Sequence, residues 1–154
     1  DVIRAGIALY GLYEPARDAH PEGLRPVMQL ISRVARVQQV PAGTPVSYGG
    51  RWRTPSSGTV ITVAAGYADG LPRCISGKAR VGIGGRLLPV VGTICMDMCM
   101  AFTNQPATDF QVGDDVIVWG LGGPSVSDVA RQARTIPYEI VCGVGSRVDR
   151  IERT

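Results

Sequence analysis

The sequence predicts a mainly β protein: an antiparallel, barrel-like or Greek-key domain with one or two short helices. Short apolar segments follow one another at close spacing, and Gly and Pro turns separate them. Only one segment carries clear helix signals. With 154 residues, of which 45% are hydrophobic, the chain is long enough to bury a core without disulfides or metals.

Three segments are typical of strands. Residues 24–40 mix apolar and polar side chains with a bias towards β-branched types, and Pro41-Ala42-Gly43 ends them with a turn. Residues 58–65 form a continuous apolar run bounded by glycines, and residues 115–119 form another. Each is expected to be a strand whose ends are set by turn residues.

Gly84-Gly85 predicts a β-hairpin between residues 79–83 and 86–91. A two-residue hairpin turn needs positive φ angles, which glycine tolerates because it has no Cβ atom. The flanking segments are therefore expected to pair with each other.

Residues 125–134 predict a short helix. Ser125 and Asp128 have the spacing of a capping box, in which each side chain bonds the backbone of the other residue. Val129, Ala130 and Ala133 fall on one side of this helix, which is expected to face the core.

The charge pattern argues against binding to nucleic acid or to a membrane. The 16 basic and 13 acidic residues are interspersed, and the formal net charge is only +3. No segment approaches the roughly 20 apolar residues that cross a bilayer.

A metal site is not expected either. Cysteines at 74, 95, 99 and 142 form no C-x-x-C pair, and the single histidine, His20, lies far from them. We expect reduced, buried thiols in a cytoplasmic protein.

Three motifs and one further segment carry chemical information. They read Val-Ser-Tyr-Gly-Gly at 46–50, Gly-Tyr-Ala-Asp-Gly at 66–70, Ile-Cys-Met-Asp-Met at 94–98 and Ile-Arg-Ala-Gly-Ile-Ala-Leu-Tyr-Gly at 3–11. The three motifs, in this order, resemble the carboxy-terminal domain of the fold-type III pyridoxal-phosphate alanine racemases. The fourth segment is similar to the end of the (β/α)8 barrel domain that precedes it in that family.

The resemblance covers nearly the whole chain and implies a division into two parts. Residues 1–23 would be a short tail of the barrel domain with a polar connector, and residues 24–154 the β-rich carboxy-terminal domain. A shift to polar composition at 14–23 favours a boundary there.

Tyr48 is the catalytic residue that the resemblance implies. Racemisation needs a base on each face of the substrate α-carbon. In the family, one base is a lysine of the barrel and the other is the tyrosine of this motif, supplied by the partner subunit. A tyrosine with an ordinary pKa of about 10 needs nearby cations to act as a base at neutral pH, and Arg51 and Arg53 are close in sequence. For an isolated motif, a tyrosine packed beside a glycine turn is the alternative.

The resemblance assigns pyridoxal 5'-phosphate to Arg4, Gly6 and Ile7. The Arg4 guanidinium would face the pyridine nitrogen and keep it unprotonated, because arginine holds its own proton. The backbone N–H groups of Gly6 and Ile7 would bind the phosphate.

Substrate contacts are implied for Met96, Asp97 and Tyr67. The Met96 amide would approach the substrate carboxylate, Asp97 would orient neighbouring groups, and Tyr67 would narrow the access to the site. Asp69 is expected to cap or bridge the turn after Tyr67. Without the resemblance, residues 95–100 are interpreted as a core strand and Tyr67 as a rim tyrosine.

Lys78 is the only lysine, and it lies in a Ser-Gly-Lys turn where we expect it to be exposed. The Schiff-base lysine of the family lies in the barrel domain, so this chain is not expected to racemise amino acids alone. The implied function is the interconversion of L- and D-alanine by a homodimer that includes the barrel, which supplies D-alanine for cell-wall peptidoglycan.

Three alternatives stay open. Ser146 stands where some members of the family carry a tyrosine, so a serine or broad-specificity racemase fits the same motifs. A non-catalytic dimerisation or ligand-binding module would use the tyrosines only for packing. An independent small enzyme would need Lys78 to be buried.

Overall fold

A closed barrel of antiparallel strands forms the centre of the protein. The computed structural model describes residues 2–13 and 23–152. Within them, the barrel strands are β1 (Leu30–Val40), β4 (Gly58–Val63), β5 (Arg80–Ile83), β6 (Arg86–Val91), β7 (Cys99–Thr103) and β8 (Asp115–Trp119), and a small separate sheet pairs β2 (Pro45–Val46) with β3 (Trp52–Arg53). The order around the barrel is β1, β4, β7, β6, β5 and β8. Because β5, β6 and β7 are successive neighbours and β8 returns beside β5, the predicted Greek key is confirmed.

The long strand β1 closes the barrel. Its first half pairs with β8 and its second half with β4, and the register shifts between Val34 and Arg36 where the partner changes. Such an irregularity bends a strand and increases its twist, which lets one strand reach two neighbours. The predicted end of this strand at Val40 is confirmed, whereas its start is at Leu30.

The barrel interior is filled mainly by aliphatic side chains. The most deeply buried include Val34, Ile61, Val63, Val81, Ile83, Val90, Val116 and Val118. β-Branched side chains fit this surface because they pack well against neighbours on a pleated sheet.

The predicted hairpin is present. β5 pairs with β6, and Ile83 and Arg86 are the pair next to the turn. Between them lie Gly84 at φ 56° and Gly85 at φ 75°. Positive φ at both turn positions matches the twist of a two-residue hairpin.

Two short helices follow the barrel, α1 (Val126–Ala133) and α2 (Pro137–Cys142). The predicted capping box of α1 is confirmed: the Asp128 N–H donates to Ser125 Oγ at 3.0 Å, and the Ser125 N–H donates to Asp128 Oδ2 at 3.3 Å. The hydrogen bond from the Ser125 hydroxyl, more than any other contact, lowers the pKa of the Asp128 carboxyl. Val129 and Ala130 are buried, so the predicted face does turn to the core.

Some of the predicted strand boundaries were wrong. The interpretation of residues 95–100 as a core strand fails because β7 begins at Cys99, and the residues before it form a loop. The backbone of this loop bonds a neighbouring turn instead of a strand, as described below. β4 likewise ends at Val63, before the apolar run stops.

The amino-terminal segment packs against the barrel. Residues Gly6–Tyr10 form a 3-10 turn, and Ile7 and Leu12 join the main core. The connector at 14–22 and His20 lie outside the described residues, so the division at residue 23 stays a prediction. In the described part of the chain, no helix has the length and apolar character needed to cross a membrane.

Candidate active site

The topology brings two of the motif loops to the same end of the barrel. β4 and β6 both run antiparallel to β7, so the loops that leave β4 and β6 emerge beside the start of β7. The first loop contains Tyr67 and the second contains Met96 and Asp97. The third motif, with Tyr48, lies in a 3-10 turn that follows β2.

These loops enclose a cleft of about 460 Å³, within the size range of small-ligand sites. Four of the seven predicted site residues line it, namely Tyr48, Tyr67, Met96 and Asp97. The other lining residues are Gly49, Arg51, Arg73, Thr93, Ile94 and Cys95. Motifs that are far apart in the sequence therefore share one concave surface.

Tyr48 presents its ring on this surface. It is 74% exposed, and the two glycines after it adopt left-handed backbone, with φ of 73° at Gly49 and 54° at Gly50. Only glycine adopts successive positive φ angles readily, so the motif folds the chain tightly directly after the tyrosine.

The two arginines that follow Tyr48 have different surroundings. Arg51 lines the cleft, whereas the Arg53 side chain donates from Nη1 to the Gly43 carbonyl at 2.8 Å. Arg51 and Arg73 thus bring positive charge to the cleft, which suits a carboxylate ligand.

The Tyr67 turn and the Met96-Asp97 loop form one unit. The Tyr67 N–H donates to the Cys95 carbonyl at 3.0 Å, and the Ala68 N–H donates to the Met96 carbonyl at 2.9 Å. A Cβ atom at Gly66 would lie 2.3 Å from the Cys95 carbonyl oxygen, so glycine is required for this approach. Among the described residues, the Met96 N–H has no hydrogen-bond acceptor.

Asp69 both caps and bridges, as predicted. Its buried carboxylate accepts from the Gly66 N–H at 2.9 Å and from Arg147 Nε and Nη2 at 2.6 and 3.1 Å. The hydrogen bond and charge of Asp69, with a smaller contribution from Asp97, raise the pKa of the Arg147 guanidinium. The carboxyl-terminal segment is thereby attached to the Tyr67 turn.

Sequence reasoning missed two of these arginines as site residues. Arg73 lies shortly after the Gly-Tyr-Ala-Asp-Gly motif and begins a new 3-10 turn that Pro72 precedes, so its nearness to the motif was a usable signal. Arg147 is 78 residues from Asp69, and no local pattern indicates their contact.

The predicted cofactor residues lie apart from this cleft. Arg4 is exposed, Gly6 has φ 57° at the start of the 3-10 turn, and Ile7 is buried in the barrel core. The Gly6 and Ile7 N–H groups have no carbonyl partner within that turn. An exposed guanidinium and two backbone donors are a donor set that fits the ring nitrogen and phosphate of pyridoxal phosphate.

Lys78 is exposed in its turn, as predicted, so a buried catalytic lysine is not present at that position.

All four cysteines are free thiols, but only Cys95 and Cys99 are buried, while Cys74 and Cys142 are exposed. The expectation of buried thiols was therefore wrong for the second pair. Across residues 2–13 and 23–152, no group of three or more His, Cys, Asp or Glu side chains is placed to hold a metal ion.

Comparison with known proteins identifies the family. The sequence pattern described as "Alanine racemase, C-terminal domain" matches residues 27–152. The chain is 45% identical over 152 residues to an alanine racemase of Chlorobaculum tepidum, covering 98% of this chain and 39% of that protein. It is 46% identical over 149 residues to an alanine racemase of Deinococcus radiodurans, covering 97% of this chain and 42% of that protein.

Solved structures of alanine racemases are also similar to this chain. Alanine racemase from Bartonella henselae, with covalently bound pyridoxal phosphate, superposes with a TM-score of 0.86 at 36% identity and covers 95% of this chain and 40% of its own. Alanine racemase from Clostridium difficile 630 in complex with cycloserine gives a TM-score of 0.84 at 40% identity over 92% of this chain and 38% of its own. The chain thus spans about two fifths of the length of these relatives. It belongs to the family of alanine racemase carboxy-terminal domains.

Proposed function

We propose that this chain is the carboxy-terminal part of a pyridoxal-phosphate-dependent alanine racemase that interconverts L- and D-alanine. The observation that carries the proposal is the single cleft formed by Tyr48, Tyr67, Met96 and Asp97. In the proposed whole enzyme, residues 1–23 belong to the end of the barrel domain and residues 24–154 form the β-rich domain. The Schiff-base lysine comes from the barrel, because Lys78 is exposed in a turn.

Arg4, Gly6 and Ile7 would hold the cofactor. The chemistry supplied by bound pyridoxal phosphate is acidification of the substrate α-hydrogen. The Arg4 guanidinium keeps its proton, so it would donate to the ring nitrogen and leave that atom unprotonated.

Tyr48 would remove or return the α-proton on one face of the substrate through its phenol oxygen. Arg51 lines the same cleft and adds positive charge to it. The Met96 N–H, which has no acceptor among the described residues, would donate to the substrate carboxylate. Asp97 would orient groups around that carboxylate, and Tyr67 would narrow the access to the cleft.

The separation of the two residue sets supports a site shared between subunits. Tyr48 lines the cleft, whereas none of the three cofactor residues is among the described residues that line it. A homodimer in which one subunit supplies the cofactor residues and the other supplies Tyr48 accounts for this. The free thiols suit a cytoplasmic enzyme, and its D-alanine would serve peptidoglycan synthesis.

The test is Tyr48→Phe in the full-length protein that contains this chain. Racemisation is expected to fall about 100- to 10,000-fold, the usual contribution of a proton-transfer group. The value of kcat/KM must fall by the same factor for L- and D-alanine, because the two enantiomers have equal free energy and their equilibrium constant is fixed. Tyr48 would be the base for the L-enantiomer and the barrel lysine the base for the D-enantiomer, so exchange of the D-alanine α-hydrogen with solvent deuterium should persist.

Tyr10→Phe is the matched control, because it removes a phenol hydroxyl from a partly exposed tyrosine outside the cleft. Wild-type racemisation by Tyr48→Phe would refute the role of Tyr48. If the full-length wild-type protein shows no racemisation of any amino acid, the non-catalytic binding module replaces this proposal.

A serine or broad-specificity racemase is the second candidate, and Ser146 favours it. Ser146 is exposed beside Arg147, which bonds the Tyr67 turn, and a serine leaves more space than a tyrosine. The ratio of kcat/KM for alanine and serine, measured on the wild type, decides between these substrates.

A further inference from the structure

Ser47, the residue before Tyr48, has an unusual backbone conformation. Among the described residues, only Ser47 and Arg134 are non-glycine residues with positive φ. Arg134, at φ 58° and ψ 44°, occupies the common left-handed region at the end of α1. Ser47, at φ 66° and ψ −178°, lies instead in a region that is essentially restricted to glycine. Such strain persists only where the surrounding structure holds it.

The Ser47 side chain makes contacts that hold this conformation. Its hydroxyl donates to the Thr93 carbonyl at 2.6 Å and lies 3.7 Å from Cys95 Sγ. The Ser47 carbonyl accepts from the Gly50 N–H at 3.2 Å and closes the turn around Tyr48.

The loop opposite is shaped to receive Ser47. Gly92 has φ 68°, and a Cβ atom there would lie 2.7 Å from the Ser47 Cβ and 2.9 Å from the Val46 carbonyl oxygen. Glycine therefore lets the two loops approach closely. Thr93 and Cys95 belong to the same loop as Met96 and Asp97, so the Ser47 hydroxyl connects the Tyr48 turn directly to the other side of the cleft.

We propose that Ser47 is a positioning residue for the reaction: its hydroxyl fixes the Tyr48 turn relative to the Met96-Asp97 loop. This inference rests on the proposed function, in which Tyr48 transfers the proton. Tyr48 is largely exposed, so its direction depends on the backbone before it rather than on packing around its ring. A glycine would adopt the same backbone conformation without strain, but it would lack the hydroxyl that bonds the Thr93 carbonyl. This hydrogen bond, which we call the tether, is what serine contributes at this position.

Two substitutions separate the tether from the strain. Ser47→Gly removes the hydroxyl and relieves the strain, whereas Ser47→Ala removes the hydroxyl and keeps the strain. If Ser47 positions Tyr48, both variants should lower kcat for racemisation about 10- to 100-fold, the range for a misplaced catalytic group. KM should stay close to the wild-type value, because the substrate-binding groups are unchanged. Ser56→Ala is the control, since it removes a hydroxyl that donates to Asn104 Oδ1 away from the cleft.

The experiment uses the full-length protein that contains this chain and measures kinetics together with amide hydrogen exchange in residues 46–51. Both Ser47 variants are expected to exchange faster there, while Ser56→Ala matches the wild type. Wild-type kcat for Ser47→Gly overturns the positioning role, and unchanged exchange in Ser47→Gly overturns the tether. If Tyr48→Phe instead racemises at the wild-type rate, the proposed role of Tyr48 fails, and the exchange data still decide whether Ser47 restrains the loop.

Discussion

Asp69 is the residue on which the geometry of the Tyr67 turn depends. A single carboxylate accepts from the Gly66 N–H and from two nitrogens of Arg147, and it is almost wholly buried. If the carboxylate is removed, the buried Gly66 N–H is left without an acceptor, which costs more than the hydrogen bond itself contributes.

Asp69→Asn is therefore expected to lower the free energy of unfolding by about 1–3 kcal/mol, because the amide keeps the shape but places an NH2 donor where one carboxylate oxygen accepts from Gly66 or Arg147. Urea unfolding of the two proteins measures the difference. Asp115→Asn is the matched control, since Asp115 pairs with Arg33 where both side chains are largely exposed, and a change of no more than about 1 kcal/mol is expected there. Equal losses in the two variants would contradict the importance given to Asp69.

Cys99 makes stability depend on pH in the alkaline range. Burial, and to a smaller degree the neighbouring Cys95, raises the pKa of this thiol from its ordinary value of 9.0 to about 12. Its contribution is complete below pH 9 and is lost as pH rises towards 12, because the unfolded thiol ionises first. The slope from this one group is about 1.4 kcal/mol per pH unit.

Cys99→Ala should remove that slope, so the difference in unfolding free energy between wild type and variant should change across pH 9 to 12. Denaturant unfolding at a series of pH values measures it. Cys142→Ala, which removes an exposed thiol, is the control and should leave the slope unchanged. A pH-independent difference for Cys99→Ala would show that the thiol does not stay protonated in the folded protein.

At the scale of single elements, the structure requires glycine for two different reasons. Gly85 turns the β5–β6 hairpin at φ 75°, with no atom within 4 Å of a Cβ placed there, so only its backbone angle demands glycine. Gly66 has φ −142°, which any residue adopts, but a Cβ would lie 2.3 Å from the Cys95 carbonyl oxygen.

The two sites should respond differently to substitution. Gly85→Asn should be nearly neutral and Gly85→Val should cost about 1–2 kcal/mol, because asparagine tolerates the left-handed region and valine does not. Gly66→Ala should separate the Tyr67 turn from the Met96 loop. It should therefore lower both the stability and the racemisation rate of the full-length protein that contains this chain. Thermal unfolding with activity assays measures both effects; a fully active Gly66→Ala protein would contradict the close backbone approach.

The elements that could be predicted from sequence are those with local causes. The Gly84-Gly85 turn and the Ser125–Asp128 cap each depend on residues within a few positions, so the printed sequence contains their whole explanation. The start of β7 could not be predicted, because the residues before Cys99 bond the Tyr67 turn, which lies about 30 residues earlier in the chain.

At the scale of the whole molecule, strand order assembles the cleft. The family resemblance identified Tyr48, Tyr67 and Met96 one by one, but only the folded structure shows that their loops meet at one cleft. The same order leaves Arg4 outside the lining of that cleft. A complete racemase site built from one chain would need these groups together, whereas in the proposed two-fold symmetric dimer Arg4 of one subunit would lie close to Tyr48 of the other.

Mixed dimers of the full-length protein test this arrangement. One subunit carries Arg4→Glu and the other Tyr48→Phe, and two different affinity tags select the heterodimer. If sites are shared, both substitutions fall in one site and the second site is intact, so the heterodimer should have about half the wild-type activity. The matched control places both substitutions in one subunit beside a wild-type partner. There each site contains one substitution, and the dimer should be as inactive as the single variants. The reverse result, with an inactive first heterodimer and a half-active control, would show that each site is built from one chain, because only then does a wild-type subunit remain complete.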